Sequence, residues 1–531
     1  MSSQNRGIAV LSGGSAANNL VDVFEALRES KDCPLSYIIP ISDNGGSSSE
    51  LIRIFGGPGI GDVRSNYPFH PIIHLVILLT CVLGRLVRLI PDTSNNSERT
   101  AIKTLFNHRL PAQASAASQE WLAIVDGTSS LWHSIPPAKK ELIRSFFNLL
   151  NLEILKRARP PSSTFDFTSA SVGNLFLTGA RLFSGSFESA IYLLGSICGV
   201  QSDIVRVIPA INSNFSHHIS ATLANGTIIV GQNSISHPSE ETALKSDSRA
   251  RRPSLLLADG DDLEDTDVSD FSDTVSYEED HLPGSLASLR NKNISFSKTE
   301  NEDLPSRISR IWYINPYGQE IRPAANPRVL EALNDAQAII YSIGSLYTSI
   351  LPAVILRGVG KSIVTSPARH KILILNGSLD RETGPPTQPF MASDFVEAIT
   401  RAGEESRGRY HHDNHHRPTK SPTSPDTVRP HTPLPYRSYV THILHLDGPG
   451  TPQIDRERLA DMGIEALRLY GRKITMMEDD REVVVGMRYD SNALLQALEV
   501  VLGKKGDAMI RGGVGNGLGR RNTLEPGRRE R

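Results

Sequence analysis

Cysteine is scarce in this sequence, and neither sign of charge dominates it. Three cysteines occur in 531 residues: Cys33, Cys81 and Cys198. They are too few for a disulfide framework or a zinc-ligand set, so we interpret each as a small buried residue. The formal net charge is −2. Such a chain offers no bulk electrostatic reason to bind nucleic acid or an anionic membrane.

Long apolar runs are also missing. The longest, residues 72–83, is shorter than the roughly 20 residues that a membrane-spanning helix needs. Residues 1–14 lack the charged and then apolar pattern of a signal peptide. We therefore expect a soluble, cytoplasmic protein with neither membrane nor nucleic acid as a partner, and a homodimer is left open.

Three segments have compositions unlike those of packed protein. Residues 234–307 are acidic and rich in serine, residues 403–436 are rich in proline and histidine, and the tail 505–531 is rich in glycine and arginine. Such segments bury too little apolar surface to offset their ordering entropy, so we predict that they are disordered. The predicted core is the remainder: residues 1–233, 308–402 and 437–504.

The acidic segment hides a mildly basic remainder. Residues 259–280 hold eleven of the 58 acidic residues and no lysine or arginine, which leaves 47 acidic against 56 basic residues elsewhere. A basic remainder suits an anionic small ligand, although charge alone does not identify one.

What the sequence does contain is an alternation of strand and helix patterns. Four short apolar runs are predicted strands: residues 7–11, 35–41, 336–341 and 371–375. Between the first two, Leu20, Phe24 and Leu27 share one face of a predicted helix. Strands that alternate with helices predict an α/β fold with a doubly wound, mainly parallel sheet.

The first predicted strand runs into the turn Gly13, Gly14, Ser15 and then into a helix. Glycines at such a turn let backbone N–H groups approach a phosphate, and the helix dipole favours its charge. The turn is neither GxGxxG nor a Walker loop. A plain tight connection is the alternative interpretation.

A polar stretch, ISDNGGSSSE, follows the second predicted strand and is soon followed by GDVRS. Ligands of open parallel sheets bind beyond the carboxyl ends of the strands. Asp43 and Asp62 are therefore candidate Mg²⁺ ligands against a diphosphate. In the alternative, Asp43 caps the next helix and Asp62 pairs with Arg64. The residues alone leave both interpretations open.

Four further stretches follow in a recognisable order: SVGNLFL at 171–177, residues 212–216, GSLYTSILP at 344–352, and Asn376-Gly377. With GGS, DNGG and GDVR they resemble the CofD/YvcK-like family over residues 7–233, 308–400 and 438–500. The resemblance implies a Rossmann-like fold. CofD-type members transfer a phospholactyl-type group from a guanosine-diphosphate-activated donor to a deazaflavin, using Mg²⁺. YvcK-type members are regulators of carbon metabolism that bind a uridine-diphosphate sugar.

The resemblance also implies roles for individual residues. Those expected near the nucleotide are Gly13, Gly14, Ser15, Asn174, Gly344, Ser345 and Thr348. Those expected as catalytic carboxylates and Mg²⁺ ligands are Asp43 and Asp62, with Asn44, Gly45, Gly46 and Arg64 on the acceptor or phosphate side. Two functions remain open: a phosphoester transferase and a non-catalytic nucleotide-sugar sensor. The GDVR segment favours the YvcK-type branch.

The sequence departs from the family pattern in two places. Family members commonly carry Gly-Pro-Gly-Ser where this chain has SIGS at 342–345. Residues 66–84 form an apolar insertion after GDVRS, which we interpret as a retained intron or gene-model artefact; the alternative is a genuine hydrophobic hairpin or membrane-touching element. Sequencing the transcript tests this, because a cDNA that contains these codons contradicts the intron. Residues 380–383, DRET, follow a predicted strand, and we interpret them as a solvated turn rather than a wall of the site.

Overall fold

A computed structural model describes most of the chain. The described residues are 6–13, 16–41, 47–58, 81–90, 97–158, 164–236, 303–408, 434–478 and 481–503. Within these ranges, no helix combines the length and apolar character that a membrane crossing requires.

The described residues form thirteen strands and sixteen α-helices. The strands are β1 Gly7–Leu11, β2 Leu35–Ile39, β3 Val205–Pro209, β4 His218–Leu223, β5 Ile228–Val230, β6 Ile308–Ile314, β7 Glu320–Ile321, β8 Ala336–Tyr341, β9 His370–Ile374, β10 His442–His445, β11 Glu465–Arg468, β12 Gly471–Glu478 and β13 Arg481–Tyr489. The helices are α1 Val21–Lys31, α2 Ser47–Phe55, α3 Cys81–Arg88, α4 Ser97–Asn107, α5 Ala114–Asp126, α6 Pro137–Arg157, α7 Val172–Ser184, α8 Phe187–Cys198, α9 Gln232–Ser236, α10 Pro327–Asn334, α11 Leu351–Val354, α12 Val359–Thr365, α13 Ala392–Ser406, α14 Tyr436–Tyr439, α15 Arg456–Asp461 and α16 Ser491–Leu502.

Seven strands form the central sheet, in the order β11-β10-β9-β8-β1-β2-β3. Every neighbouring pair is parallel. The central strands β1, β2 and β8 are almost wholly apolar and buried, because helices cover both faces of the sheet. The predicted α/β, Rossmann-like class is confirmed.

The strand order reverses at β1. Strands β2 and β3 lie on one side of it, whereas β8 to β11 lie on the other. In an open parallel sheet this reversal opens a crevice at the carboxyl ends of the two strands that flank it, and ligands bind there. The crevice between the loops after β1 and β8 is therefore the first place to look for a site.

Some predicted boundaries differ from the observed ones. The second strand ends at Ile39 rather than at residue 41, and α9 reaches Ser236, past the expected core boundary at 233. Helix α13 continues to Ser406, past the boundary at 402. Within this extension, the missing side chain of Gly403 leaves room for the ring of Tyr439. Most of the three segments predicted to be disordered lies outside the described residues.

Two smaller sheets flank the core. Strands β5, β4, β6 and β7 form an antiparallel sheet in that order, and it borders the segment around α11. Strands β12 and β13 pair with each other alone among the described strands. We call this two-stranded hairpin the arm.

Candidate functional site

The loops after β1 and β8 leave the sheet side by side. The Ser12 N–H donates to Ile38 O (3.0 Å), and the Ser342 N–H donates to Leu11 O (3.0 Å). These bonds continue the parallel pairing by one residue beyond the strands. Both loops therefore begin at the same height above the sheet, on the two sides of the crevice.

Two glycines and one serine bring the loops into contact. A Cβ on Gly13 would lie 2.7 Å from Ser349 O and 2.9 Å from Ser349 Cβ. Gly344 has φ +142°, and a Cβ there would lie 3.0 Å from Gly13 O. Real Cβ atoms rarely approach so closely, so only glycine fits at residue 13 without movement. Close packing of the two loops is thus one reason for the glycine, whether or not a phosphate is another.

Asn376 fixes the path of the loop after β8. The Gly344 N–H donates to Asn376 Oδ1 (2.8 Å), and Asn376 Nδ2 donates to Gly344 O (3.1 Å). Asn376 follows β9, the next strand of the sheet, so the clamp joins two loops at the carboxyl edge. The side-chain amide satisfies both backbone polar groups of Gly344, which defines the loop although SIGS departs from the family pattern.

The segment after Gly344 is helical. Residues Leu346–Ile350 form a π-helical turn that leads into α11. At its start, Glu382 Oε2 accepts the N–H groups of Tyr347 (2.9 Å) and Thr348 (3.1 Å). The Thr348 hydroxyl donates to Glu382 Oε1. The Glu382 side chain thus occupies the position at this helix N-terminus where an external anion would bind.

The prediction that residues 380–383 form a solvated turn is wrong. Asp380 Oδ1 accepts the Glu382 N–H (3.2 Å) and caps a short 3₁₀ turn, which directs Glu382 inward. Glu382 is 1% exposed. Burial, with the neighbouring Asp380 carboxylate, raises the pKa of Glu382 to about 8. Burial also raises the pKa of Asp380, against a hydrogen bond with the Ser345 side chain.

Helix α3 supplies two arginines that hold the loop after β1. Arg85 is fully buried; its Nη1 donates to Ala17 O (2.8 Å) and its Nη2 to Ser12 Oγ (3.0 Å). Its guanidinium lies 4.6 Å from the centre of the Tyr37 ring. Arg88 Nη1 donates to Asn18 O (2.9 Å). Two positively charged side chains from α3 therefore hold the loop through its carbonyl and hydroxyl oxygens.

Helix α7 holds the segment that follows α2. Ser171 caps the helix through the Asn174 N–H (3.4 Å), and Asn174 is fully buried. About two turns further along α7, Arg181 Nη2 donates to Gly56 O (2.9 Å). From the loop between β3 and β4, Ser216 Oγ donates to Gly57 O (2.7 Å). These contacts pin the end of the segment that leads toward GDVR. Burial lowers the pKa of Arg181 to about 10.

The structure brings together four of the residues predicted for the site. Gly13, Gly344, Ser345 and Thr348 lie in or beside the crevice, and Thr348 has both its N–H and its hydroxyl bonded to Glu382. Asn174 lies at the start of α7. The other predicted residues lie outside the described part of the chain: Gly14, Ser15, Asp43, Asn44, Gly45, Gly46, Asp62 and Arg64. So does most of the insertion 66–84, although its last residues begin α3.

Several residues at the crevice were missed by the predictions. Ser342 has a buried hydroxyl without a partner among the described residues, and the Ser349 side chain lies between the two glycines. Glu382 and Arg85 organise the two loops. A signal existed for three of them: Ser342 and Ser349 flank or belong to the signature stretch, and Arg85, with Arg88, interrupts an apolar helix at a spacing of one turn. Glu382 carried no such signal.

A metal site is not assembled by the described residues. They contain no group of three or more histidine, cysteine, aspartate or glutamate side chains that would hold a metal ion. Asp380 and Glu382 do not fit this role, because their oxygens already accept hydrogen bonds and their pKa values are raised. The expected Mg²⁺ ligands, Asp43 and Asp62, lie outside the described ranges. Magnesium therefore remains an expectation of the family resemblance.

Comparison with known proteins identifies the family. A sequence model of the family described as 2-phospho-L-lactate transferase CofD matches residues 8–467. This chain belongs to that family. The match spans the crevice on both sides, from β1 to β11.

Individual relatives agree. The uncharacterized protein YNL011C of Saccharomyces cerevisiae is 42% identical over 378 residues, covering 71% of this chain and 79% of the yeast protein. A putative gluconeogenesis factor of Deinococcus radiodurans is 33% identical over 158 residues, 30% of each chain. The crystal structure of protein BH3568 from Bacillus halodurans superposes with a TM-score of 0.50 at 17% identity and covers 93% of this chain and 100% of that one. This last likeness shows the shared fold.

Proposed function

We propose that this chain binds a nucleoside diphosphate ester in the crevice between the loops after β1 and β8 and transfers its phosphoester group to an acceptor hydroxyl. The observation that carries the proposal is the contact of the two loops at the reversal of strand order, through Gly13, Gly344 and Ser349. Such a crevice in a parallel sheet is where nucleotides bind. Ser342, directly after β8, has a buried hydroxyl without a partner among the described residues, and Ser349 lies beside both glycines.

The phosphates are expected on the β1 side of the crevice. The first N–H groups of the turn after β8 already bind Glu382, so they are not free for a second anion. The loop after β1 differs, because Arg85 and Arg88 use its oxygens and bring positive charge behind it. Its glycine turn is then the place where backbone N–H groups and charge together favour a phosphate.

The proposed reaction breaks one bond and forms one bond. The acceptor hydroxyl oxygen attacks the phosphorus that carries the donor's organic group. The P–O bond to the bridging oxygen of the diphosphate breaks, its electron pair leaves with the nucleoside monophosphate, and the acceptor proton is released to a base. Magnesium, if held by Asp43 and Asp62, would neutralise charge on the departing phosphate.

Ligand binding is tested first, with the full chain. GDP, UDP and UDP-sugars, each with and without Mg²⁺, are added in a thermal-unfolding screen. A nucleotide that binds the folded state raises the unfolding temperature. Ser349→Ala should reduce that shift, whereas Ser145→Ala, an exposed serine on α6, should not. No shift with any nucleotide would contradict the proposal.

Turnover is tested next, with a nucleotide-activated phospholactate and a deazaflavin acceptor. We expect nucleoside monophosphate to be released only when the acceptor is present. Phosphorus NMR measures this release. Release without an acceptor would indicate hydrolysis instead of transfer.

A second candidate function is a non-catalytic sensor of a nucleotide sugar. Similarity to the putative gluconeogenesis factor of Deinococcus radiodurans favours it, as does the GDVR segment at 61–64. A sensor would be stabilised by a UDP-sugar and would leave every donor intact. Stabilisation by a guanosine diphosphate ester with transfer would exclude it.

A further inference from the structure

A cavity lies beside the segment that follows β8, and the proposed nucleotide binding does not use it. Its volume is about 260 Å³, and its walls come from β6, from α13 and from the segment between Tyr347 and Ile355. A cavity of about 150 Å³ already holds a benzene molecule, so this one has room for a small organic molecule with polar groups.

Tyr347 belongs both to the crevice and to the cavity. Its N–H donates to Glu382 Oε2 (2.9 Å), as described for the loop after β8. Its ring lines the cavity, and its hydroxyl donates to Ile308 O (3.0 Å). A ligand in the cavity would therefore touch a residue whose backbone is held at the crevice.

One part of the cavity wall is apolar. Leu351 and Ile355 contribute to it from α11 and its end, and Ile308 contributes from β6. The ring of Phe390 lines it as well and lies edge-on to the Tyr347 ring, with 6.4 Å between the ring centres. Such a surface suits an aliphatic or aromatic group of a ligand.

The charged part of the wall carries as many cations as anions. The charged residues that line the cavity are Arg307, Arg310, Arg401, Asp394, Glu397 and Glu405. Because three positive and three negative side chains cancel, the wall favours neither a simple anion nor a simple cation. A molecule that carries one charge of each sign is complementary to it.

Two of these side chains keep a polar atom unused within the described part of the chain. Arg401 pairs with Glu397 through Nη2, whereas its Nε is buried and donates to no described atom. Glu405 accepts both of its bonds from Arg310 at Oε1, and its Oε2 accepts none from the described residues. One wall of the cavity thus offers a free donor and a free acceptor.

The free donor and the free acceptor are neighbours on α13. Arg401 and Glu405 are separated by four residues, so their side chains leave the same face of the helix. An ammonium and a carboxylate attached to one carbon atom can therefore reach both of them.

We propose that this cavity binds the zwitterion of a free amino acid with an apolar side chain. The ligand carboxylate accepts a hydrogen bond from Arg401 Nε, and the ligand ammonium donates one to Glu405 Oε2. The apolar side chain lies against Leu351 and Ile355. Hydrogen bonds between charged partners are roughly twice as strong as neutral ones, so the two together select a zwitterion.

Occupation of the cavity is expected to act on the crevice through the π-helical turn. That turn, Leu346–Ile350, begins at the groups held by Glu382 and leads directly into Leu351 of the cavity wall. π-helical turns are rare and are frequent at functional sites. If the amino acid changes nucleotide affinity, the nucleotide must change amino-acid affinity by the same factor. This link alone rests on the proposed nucleotide binding.

Calorimetric titration of the full chain tests the choice of ligand. Leucine, methionine and phenylalanine are the probes, and two analogues of leucine are the controls. Isocaproate lacks the ammonium, and isoamylamine lacks the carboxylate. We expect an amino acid to bind and each analogue to bind at least about tenfold more weakly, because one charged group of the wall stays unpaired.

Substitutions test the place of binding. Arg401→Gln and Glu405→Gln should each weaken amino-acid binding at least about tenfold. The matched controls are Arg458→Gln and Glu320→Gln, which remove ion pairs of the same cluster but do not line the cavity. Both controls should bind the amino acid like the wild type.

A filled cavity provides a test that does not depend on charge. Ala398 lines the cavity from α13, so Ala398→Phe places a ring in the space of the ligand. We expect this variant to lose amino-acid binding, while circular dichroism and thermal unfolding show that it is folded. An added amino acid should shift the affinity for GDP or a UDP-sugar in the wild type and not in Ala398→Phe.

Three outcomes would overturn the proposal. The first is that none of the three amino acids binds the wild type. The second is that isocaproate and isoamylamine bind as tightly as leucine. The third is that Arg401→Gln, Glu405→Gln and Ala398→Phe all bind like the wild type, which would place the site elsewhere. A chain that binds amino acid but no nucleotide would contradict the proposed function and support the cavity site.

Discussion

The two loops that meet at the crevice are held by different kinds of side chain, an acid that accepts hydrogen bonds and arginines that donate them. The loop after β8 is held by Glu382, a buried acid that takes its backbone N–H groups. The loop after β1 is held by Arg85 and Arg88, which take its carbonyl oxygens. One loop has satisfied its anion-binding groups from within the protein, whereas the other is fastened through its acceptors. This difference indicates that the loop after β1, rather than the loop after β8, is the one we expect to bind an external phosphate.

Removing the side chain of Glu382 should have the largest effect and tests how the loop after β8 is held. Glu382→Ala leaves two buried N–H groups and the Thr348 hydroxyl without their acceptor. Because each such group costs about 1–3 kcal/mol, we expect a loss of about 3 kcal/mol or more in the free energy of unfolding. Urea unfolding measures it. Glu382→Gln keeps an acceptor oxygen and should lose less; an alanine variant as stable as the wild type would contradict the assigned role.

Removing the buried cation tests the other loop. Arg85→Met should lower the free energy of unfolding by about 2–3 kcal/mol, because two charge-assisted hydrogen bonds disappear. Arg88→Met removes a single bond and should cost less. The comparison is sharpened by ligand binding: Arg85→Met should also weaken nucleotide binding, whereas Glu382→Gln should leave it largely unchanged. Equal effects of the two variants would mean that both loops hold the phosphates.

The contact between the loops is tested at Gly13. Gly13→Ala forces Ser349 to move, since the new Cβ would lie 2.7 Å from its carbonyl oxygen. We expect a loss of about 1–2 kcal/mol, measured by thermal unfolding. The matched control is Gly195→Ala in α8, where the nearest atom is Leu86 Cδ2 at 3.8 Å. Gly195→Ala should leave the free energy of unfolding unchanged or raise it, because alanine favours a helix. An equal loss of stability at both positions would contradict a special contact at Gly13.

The smallest expected effect is a pH dependence of the acid-held loop. The pKa of Glu382 is raised to about 8 in the folded chain from an ordinary value of 4.5. A raised pKa means that the folded state binds the proton more tightly. Its stabilising contribution is complete below the unfolded value and is lost as pH rises through about 8.

Relative to Glu382→Gln, the wild type should therefore lose on the order of 1 kcal/mol between weakly acidic and weakly alkaline pH. Unfolding temperatures of both proteins across that range measure the difference. Parallel curves would show that Glu382 keeps one charge state throughout.

The sequence patterns predicted the framework of the fold and part of the site. The apolar runs at β1 and β8 fixed where two strands would end, and parallel pairing then placed Gly13 and Gly344 at one edge. These features are local, because strand and helix patterns and glycine turns are each defined by neighbouring residues in the sequence. The resemblance to a known family supplied the order of the remaining stretches.

What the predictions missed depends on contacts between distant residues. Glu382 meets Thr348 from 34 residues away, and Arg85 meets Ser12 from 73 residues away. An acidic turn looks the same in sequence whether its side chains face water or a buried helix end. Only the packing of the turn after β9 against the start of the π-helical turn decides, and that packing has no local pattern.

The far end of the chain has a consequence for the order in which the protein assembles. The family match ends at residue 467, yet the Tyr489 hydroxyl lies within hydrogen-bond distance of Leu375 O and Leu444 O, at the ends of β9 and β10. Helix α16, the last one described, packs on α1, the first. During synthesis, α1 therefore cannot complete its packing until α16 has been made. A shortened chain ending at 467 would keep every predicted ligand residue. It would still lose the Tyr489 hydrogen bonds to the ends of β9 and β10 and the packing of α16 on α1.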